Sequence, residues 1–364
     1  MNKKLMIVIL VLIVSTISFS RSFLGLIGII PWQYGYSDVF NEDRINEVSA
    51  KQIPYIERAV EYPIITGFFI YFTWLIGKNL LGYALLTWIF LTLPAVITAI
   101  TLHKLAEMLK LGKKRLFWFF IFAPSMIVFS IYNWDMIALM FMVLGIYSFC
   151  KNKPLMASMF IGLGFNAKLF PVILLPIMML KNRKNAIKML LVFILTFLVL
   201  NSYFMIASFD TWKNIFLYHS LREPNIDSAW HITGLSTGAI NIASAVLFSI
   251  SYIALLLFFK KRDLIALSFL SMLLFLLLNK IFSPQYILWL LPFFVLSQNT
   301  SKKSFYLLEA ANMAVFFSTM YWLLASREQV FLAISNISTV ARSLILAYLI
   351  FIILKPTKTN INNV

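Results

Sequence analysis

The chain has 364 residues, of which 61% are hydrophobic and only 12% are charged, and its mean hydropathy is +0.87. A soluble domain of this composition would have too few polar side chains to cover its apolar surface. The repeated apolar stretches have the length of about 17–25 residues that crosses ~30 Å of hydrocarbon as a helix. The composition therefore predicts an all-α polytopic membrane protein and excludes a soluble enzyme.

The formal net charge of +17 does not indicate a nucleic-acid partner. The basic residues form short clusters between apolar runs, and no motif that recognises RNA or DNA accompanies them. Such clusters are typical of the cytoplasmic loops of membrane proteins. The single cysteine, Cys150, excludes an intramolecular disulfide. The charge therefore informs the membrane orientation of the chain.

The first segment, MNKKLMIVILVLIVSTISFSRS, has the basic start, apolar run and small residues of a signal peptide. Because the rest of the chain is also membrane-embedded, we expect this segment to be retained as the first transmembrane helix. Placing every later basic cluster in the cytoplasm then requires an even number of crossings between neighbouring clusters.

Region 63–103 decides the topology, because two spans there would invert every later loop. One span over 81–103 keeps all basic clusters inside. Segment 63–77 opens with Pro63 and is short for a crossing, so we predict that it is an interfacial helix at the outer face. The predicted spans are 5–20, 81–103, 116–131, 134–150, 154–168, 170–180, 189–207, 237–259, 264–279, 284–297, 304–325 and 329–354.

These twelve spans place both termini in the cytoplasm and leave two large external loops, residues 21–80 and 208–236. A single transmembrane domain is predicted over residues 1–358, with a short cytoplasmic tail at 359–364. Most Asp and Glu residues fall on the external side. The orientation rule counts only Lys and Arg, so this distribution of acidic residues is independent information. The outer face is therefore predicted to be the working surface of a protein of the cell (plasma) membrane.

Two lysines are predicted to lie on the external side, although most Lys and Arg residues are predicted to lie on the cytoplasmic side. Lys168 in GFNAKLFPVILL and Lys280 in FLLLNKIFSPQYILW each fall at the membrane boundary, beside Pro171 and Pro284. A lone lysine there can simply extend its ammonium group to the interface. Two such lysines, together with Arg342 in the apolar helix NISTVARSLILAYLIF, predict a cradle for an anion. A lipid-linked phosphate is the anion that lies at that depth.

The first external loop carries a candidate general base. Asp38 follows the first span closely, and a carboxylate held near a nucleophilic hydroxyl can accept its proton. An Asp in a loop also commonly caps the helix that follows. The sequence leaves both roles open for Asp38.

The sequence also resembles a known family. Asp38 followed by PYIERAVEYP is similar to the membrane glycosyltransferases of the GT-C fold. Two later segments, NWDMIALMFMVLGIYSFCKNKPLMASMFIGLGFNAKLFPVILLP and NKIFSPQYILWLLPFF, resemble glycosyltransferase family 87, the polyprenyl-phosphate-mannose-dependent mannosyltransferases. The resemblance covers most of residues 30–300, and beyond them only hydropathy and Arg342 match.

This resemblance implies a GT-C-like bundle of about twelve transmembrane helices, with interfacial helices in the first external loop. It implies an enzyme that transfers a hexose, expected to be mannose, from a polyprenyl-phosphate donor to a lipid or glycan hydroxyl. Transfer would invert the anomeric centre on the extracytoplasmic side. Asp38 would match the catalytic base, and Lys168 and Lys280 would match basic residues near the donor phosphate. A single carboxylate suffices because the phosphate leaves without protonation, unlike the leaving groups of glycoside hydrolases.

Other candidates have structural alternatives. Glu61 and Tyr62 in VEYP are candidates for ordering the first loop, or they only pack within it. Asp135 in NWDM caps the helix that follows or binds sugar hydroxyls. Gln285 and Tyr286 follow Lys280 closely and are candidates for the same pocket.

His231 in DSAWHITG lies in the second external loop, where it contacts the donor phosphate or acceptor, or packs within the loop. No histidine–carboxylate cluster has the spacing of metal ligands. We therefore expect no metal and no cofactor. The expected partners are the lipid-linked donor, the acceptor and membrane lipids.

Two other functions compete with an enzyme. A twelve-span secondary transporter would show related halves with binding groups near the bilayer midplane, whereas these halves look unrelated. A flippase or assembly subunit of an envelope pathway would not need Asp38. The acceptor stays open between glycolipid, glycan chain and protein, and the sugar and linkage are also open.

Overall fold

The computed structural model describes residues 2–112 and 114–355. The predicted tail at 359–364 and the end of the predicted domain lie outside these residues. Within them, regular structure is helical apart from an isolated bridge between Pro54 and Arg58, which confirms the all-α fold class.

The α-helices follow one another along the whole described chain. In chain order they are α1 (Lys3–Leu26), α2 (Trp32–Gly35), α3 (Glu42–Ser49), α4 (Ile64–Gly77), α5 (Leu80–Met108), α6 (Pro124–Phe129), α7 (Asp135–Cys150), α8 (Pro154–Ala167), α9 (Leu174–Lys181), α10 (Ala186–Ala207), α11 (Phe209–Trp212), α12 (Asn214–Leu221), α13 (Thr237–Phe258), α14 (Leu264–Leu278), α15 (Leu291–Leu296), α16 (Lys302–Tyr321) and α17 (Gln329–Leu354). Short 3-10 or π turns lie at Phe117–Ile121, Phe170–Ile173, Arg183–Asn185, His231–Thr233, Pro284–Leu290 and Trp322–Ser326.

Several helices begin where a polar side chain caps them. Asn41, Ser236, Asp263 and Ser301 each accept a hydrogen bond, 2.7 to 3.3 Å long, from the backbone N–H three residues later. Each cap satisfies one of the N–H groups that the first turn of a helix leaves without an intrahelical partner. The starts of α3, α13, α14 and α16 are thus encoded locally.

Six helical segments are long and apolar enough to cross a membrane. They are Lys3–Leu26, Leu80–Met108, Arg183–Ala207, Thr237–Phe258, Lys302–Ser326 and Gln329–Leu354. Six further apolar helical segments have 10–17 residues, among them α4, α7, α8 and α14. The chain is therefore a multi-pass membrane protein by helix length and composition, and the number of twelve spans stays a prediction.

Two of the differences between the predicted spans and the observed helices affect the interpretation of the chain. The span at 116–131 is not one helix, because residues 122–123 separate a π turn at Phe117–Ile121 from the short α6, which begins at Pro124. The proline ring has no N–H group to continue the hydrogen bonding of the preceding turn. The first span continues to Leu26 instead of residue 20, so the first loop comprises residues 27–79. The predicted short helix after Pro63 is present as α4.

The described residues divide into two compact units. One unit comprises the described residues up to Ile29, Gly35–Thr101 and Val128–Arg222. Here α8 packs against α7 and α10. The first loop packs onto the start of the second loop, residues 208–236: Tyr55, Val60 and Ile64 bury their side chains with Trp212 and Ile215. The Tyr55 hydroxyl donates to the carbonyl of Tyr62 over 2.7 Å, which fixes the turn that leads into α4.

The other unit comprises Ile30–Tyr34, the described residues of Leu102–Ile127 and those from Glu223 onward. In it α16 packs along α17, and α14 packs against α13 and α17. The Ser335 and Thr319 hydroxyls of α17 and α16 lie 2.7 Å apart. Glu309 of α16 is fully buried and accepts hydrogen bonds from the backbone N–H and hydroxyl of Ser125, at 2.9 and 2.6 Å.

Candidate active site

Asp38 lies between α2 and α3, in a segment that hydrogen bonds hold on both sides. The Ser37 hydroxyl donates to the carbonyl of Tyr132 over 2.8 Å. The Tyr83 hydroxyl of α5 donates to the carbonyl of Val39 over 3.2 Å. Because both neighbours of Asp38 are fixed to other elements, its carboxyl group has a defined position.

The carboxyl group of Asp38 is hydrogen-bonded to the hydroxyl of Tyr36. The helix that follows is capped by Asn41, whose side chain accepts from the N–H of Arg44 over 2.7 Å. The interpretation of Asp38 as the helix cap is therefore wrong, and its half-buried carboxyl group is left for another role.

The surroundings of Asp38 raise its pKa to about 6, mainly because burial disfavours the charged form. Lys168 and Arg44 oppose this shift, whereas the carboxylates of Glu61 and Asp135 add to it. A carboxyl group with a pKa near neutrality is suited to accept a proton during a reaction. The structure thus brings five predicted site residues together: Asp38, Glu61, Tyr62, Asp135 and Lys168.

Lys168 follows α8 directly in an extended backbone conformation, and its ammonium group pairs with Asp135. Asp135 is fully buried at the start of α7, where Trp134 occupies the cap position without a side-chain hydrogen bond. The interpretation of Asp135 as a helix cap is wrong, because its carboxylate is engaged by the lysine. Its second oxygen has no hydrogen-bond partner among the described residues, so binding of a sugar hydroxyl stays a prediction.

Arg44 is a residue of this site that sequence reasoning missed. Its guanidinium group bonds to Glu61 over 2.6 Å and also pairs with Glu47. It lies over the rings of Tyr62 and Trp134, 5.2 and 5.3 Å from their centroids. The loop-ordering role of Glu61 and Tyr62 stays a prediction, because packing within the loop makes the same contacts. Nothing local marks Arg44, which the sequence shows as one basic residue among acids in NEDRINEV.

Helix α12 supplies two further residues that the sequence did not single out as site residues. The Tyr218 hydroxyl bonds to the carboxylate of Glu61, and the His219 side chain bonds to its backbone. Burial lowers the pKa of His219 below its usual value. The predicted histidine, His231, is instead exposed on the turn His231–Thr233 of the other unit. Its role stays a prediction.

Lys280 and Arg342 belong to the other unit. Lys280 is only 7% exposed and follows the end of α14, so both predicted lysines lie at helix breaks. Arg342 is fully buried and donates to Asn312 over 2.8 Å and to the carbonyls of Asp227 and Phe282. These contacts tie α17 to neighbouring segments, and contact between Arg342 and a phosphate stays a prediction.

Gln285 and Tyr286 lie in the 3-10 turn that begins at Pro284, and both are buried. Tyr286 stacks on Trp289 with ring centroids 3.9 Å apart. Within residues 2–112 and 114–355, no three His, Cys, Asp or Glu side chains are grouped as metal ligands. The expected metal independence stays a prediction.

Comparison with known proteins agrees with this architecture. The chain is 29% identical over 188 residues to "GPI mannosyltransferase 1" of Debaryomyces hansenii, a match that covers 42% of this chain and 45% of the yeast protein. The profile of glycosyltransferase family 87 matches residues 61–284, more than half of the chain. That range includes Glu61, Asp135, Lys168 and Lys280, while Asp38 precedes it. The chain therefore belongs to glycosyltransferase family 87.

Proposed function

We propose that this protein transfers a hexose, expected to be mannose, from a polyprenyl-phosphate donor to a hydroxyl group of a lipid or glycan. Membership of family 87 and the name of the yeast relative support a mannosyltransferase. The observation that supports this chemistry is Asp38. Hydrogen bonds of its neighbours Ser37 and Val39 fix its position, and burial raises the pKa of its carboxyl group to about 6.

In the proposed reaction Asp38 accepts the proton of the acceptor hydroxyl as its oxygen attacks the anomeric carbon. The bond from that carbon to the phosphate oxygen breaks on the opposite face, so the configuration is inverted. Negative charge grows on the departing phosphate, and a fixed cation stabilises that charge more than it stabilises the bound donor. We assign that role to Lys168, whose ammonium group Asp135 holds in place.

Lys280, Arg342, His231, Gln285 and Tyr286 keep their predicted roles in donor or substrate binding as part of this proposal. The reaction is proposed to occur on the extracytoplasmic face of the plasma membrane, with both termini in the cytoplasm and without a metal. The transporter and flippase alternatives lose support, because family 87 consists of glycosyltransferases and neither alternative gives Asp38 a function.

The test is transfer of radiolabel by purified protein in detergent, supplied with labelled polyprenyl-phosphate mannose and total membrane lipids. We expect Asp38→Asn to lower the transfer rate by roughly 10²–10⁴-fold, the usual contribution of a general base. The control is Asp210→Asn, which removes an exposed carboxylate paired with Lys213 in the same unit. Full activity in Asp38→Asn would contradict the assignment, and absence of transfer by the wild-type protein would contradict the proposed donor.

A further inference from the structure

Arg44 occupies a junction between three segments of the unit that contains Asp38. It lies on α3, close in sequence to both Asp38 and Glu47. Its guanidinium group bonds to the carboxylate of Glu61 over 2.6 Å. The same group lies over Tyr62 and over Trp134, the residue before α7. Only 7% of Arg44 is exposed, so these contacts form in surroundings that exclude most water.

The charges at this junction are balanced. Glu47 and Glu61 each take one terminal nitrogen of Arg44, and Arg58 pairs with the second oxygen of Glu47. The two cations and two acids form a neutral chain, and buried ion pairs are tolerated under this condition. Tyr218 of α12 extends the chain by its bond to Glu61. The junction therefore connects the first loop to the second loop.

We propose that Arg44 is the positioning residue of the catalytic base. It fixes α3 and the neighbouring Asp38 segment against the Glu61–Tyr62 segment of the same loop and against the residue before α7, and it places a positive charge near the base. This inference rests on the proposed function of Asp38. Arg44 does not touch substrate and acts only through the position of Asp38 and the pKa of its carboxyl group.

The shape of the guanidinium group explains why an arginine is needed. A planar fork can bond two carboxylates at once while its faces lie against aromatic rings, whereas an ammonium group is a single point charge without a stacking face. Lysine at this position would therefore keep the charge and lose the geometry. Methionine would lose both.

The two substitutions have different consequences for the base. Arg44→Met removes a cation from the surroundings of Asp38, so the acid limb of the pH–rate profile moves to higher pH, by about 0.5 unit or more. Arg44→Lys keeps that limb but lowers kcat, on the order of 10–100-fold, because the base is held less accurately. The groups that face Asp38 and set this limb are Tyr36, Arg44, Glu61, Asp135 and Lys168.

The experiment measures kcat, KM for the donor and pH profiles of Arg44→Met, Arg44→Lys and the wild type, together with backbone hydrogen exchange of residues 36–63. The control is Lys213→Met, which removes a cation from an exposed pair in the second loop. The inference predicts that both Arg44 variants lower kcat more than they raise KM, and that both exchange faster than wild type over residues 36–63. Normal kcat and wild-type exchange in Arg44→Lys would overturn it.

Failure of the inference is distinguishable from failure of the proposed function. If the wild type transfers no mannose, the proposed function fails, and the exchange measurement still tests whether Arg44 orders the first loop. If Arg44→Met does not fold, Arg44→Lys carries the kinetic test. An acid limb that stays in place in a folded Arg44→Met protein overturns the electrostatic part of the inference.

Discussion

The surroundings of Asp38 give its carboxyl group the pKa that the proposed reaction requires of a base. An exposed aspartate is ionised at neutral pH but is a weak base, because its ordinary pKa lies near 4. Burial raises the pKa of Asp38 to about 6, while Lys168 and Arg44 limit the shift. The carboxyl group is then ionised at pH 7 and still accepts a proton more readily than an exposed one.

This pKa predicts the pH dependence of the proposed transfer. Only the ionised carboxylate accepts a proton, so the rate should fall about tenfold per pH unit below pH 6 and reach a plateau above it. Initial rates of sugar transfer measured between about pH 4.5 and 7.5 check this expectation. Asp210→Asn should reproduce the wild-type profile. A rate that does not change over this range would contradict Asp38 as the base.

At the level of single residues, the sequence indicated candidate site residues but not how they pair. Lys168 and Lys280 stand out because charge at a membrane boundary is costly and needs a reason. Asp38 stands out as a carboxylate soon after the first span. The partner of Lys168 is Asp135, 33 residues away, and no local pattern encodes a contact at that separation. Arg44 was missed for the same reason: apart from Glu47, its partners Glu61 and Trp134 are distant in sequence and meet it only in the folded unit.

At the level of secondary structure, apolar length and caps located most helices. The sequence located α4 as a short helix after Pro63, and α13 and α17 begin at their predicted residues. The prediction of one helix over residues 116–131 was wrong, because hydropathy alone does not show that a proline interrupts backbone hydrogen bonding. Helix α12, which carries Tyr218 and His219, had no periodic signal and was treated as part of a loop.

The packing of α4 makes a prediction for a glycine. A Cβ atom at Gly67 would lie 1.8 Å from the hydroxyl oxygen of Tyr55. Tyr55 is fully buried, and its ring lies 5.7 and 5.8 Å from the rings of Phe204 and Phe68, so it has little room to move. We expect Gly67→Ala to destabilise the protein by about 1–3 kcal/mol, the usual cost of overpacking.

The measurement for Gly67→Ala is the midpoint of thermal unfolding in detergent. Gly238→Ala is the matched control, because Gly238 lies in α13 and a Cβ atom there would meet nothing within 4 Å. Alanine in a helix is favoured over glycine, so the control should be unchanged or slightly stabilised. Equal midpoints for the two variants would show that the α4–Tyr55 contact is less close than described.

At the scale of the whole molecule, the basic clusters predict which loops share a side of the membrane. In a Cys150→Ser background, single cysteines replacing the exposed residues Ser49 and Ser220 should react with an impermeant thiol reagent in intact cells. Cysteines replacing the exposed Lys151 and Lys303 should react only after the membrane is permeabilised. Labelling of Ser49→Cys and Lys151→Cys from the same side would contradict the topology.

The sequence by itself determined that the chain is helical and membrane-embedded, because composition and the length of apolar runs decide how a chain meets a bilayer. Its motifs also predicted the glycosyltransferase family, and they singled out Asp38 and Lys168 as candidate site residues. The tertiary structure alone decided which charges neighbour Asp38, that Asp135 holds Lys168 and that Arg44 joins the first loop to the start of α7. Those contacts depend on distances between segments far apart in the chain, which apolar periodicity and local caps do not specify.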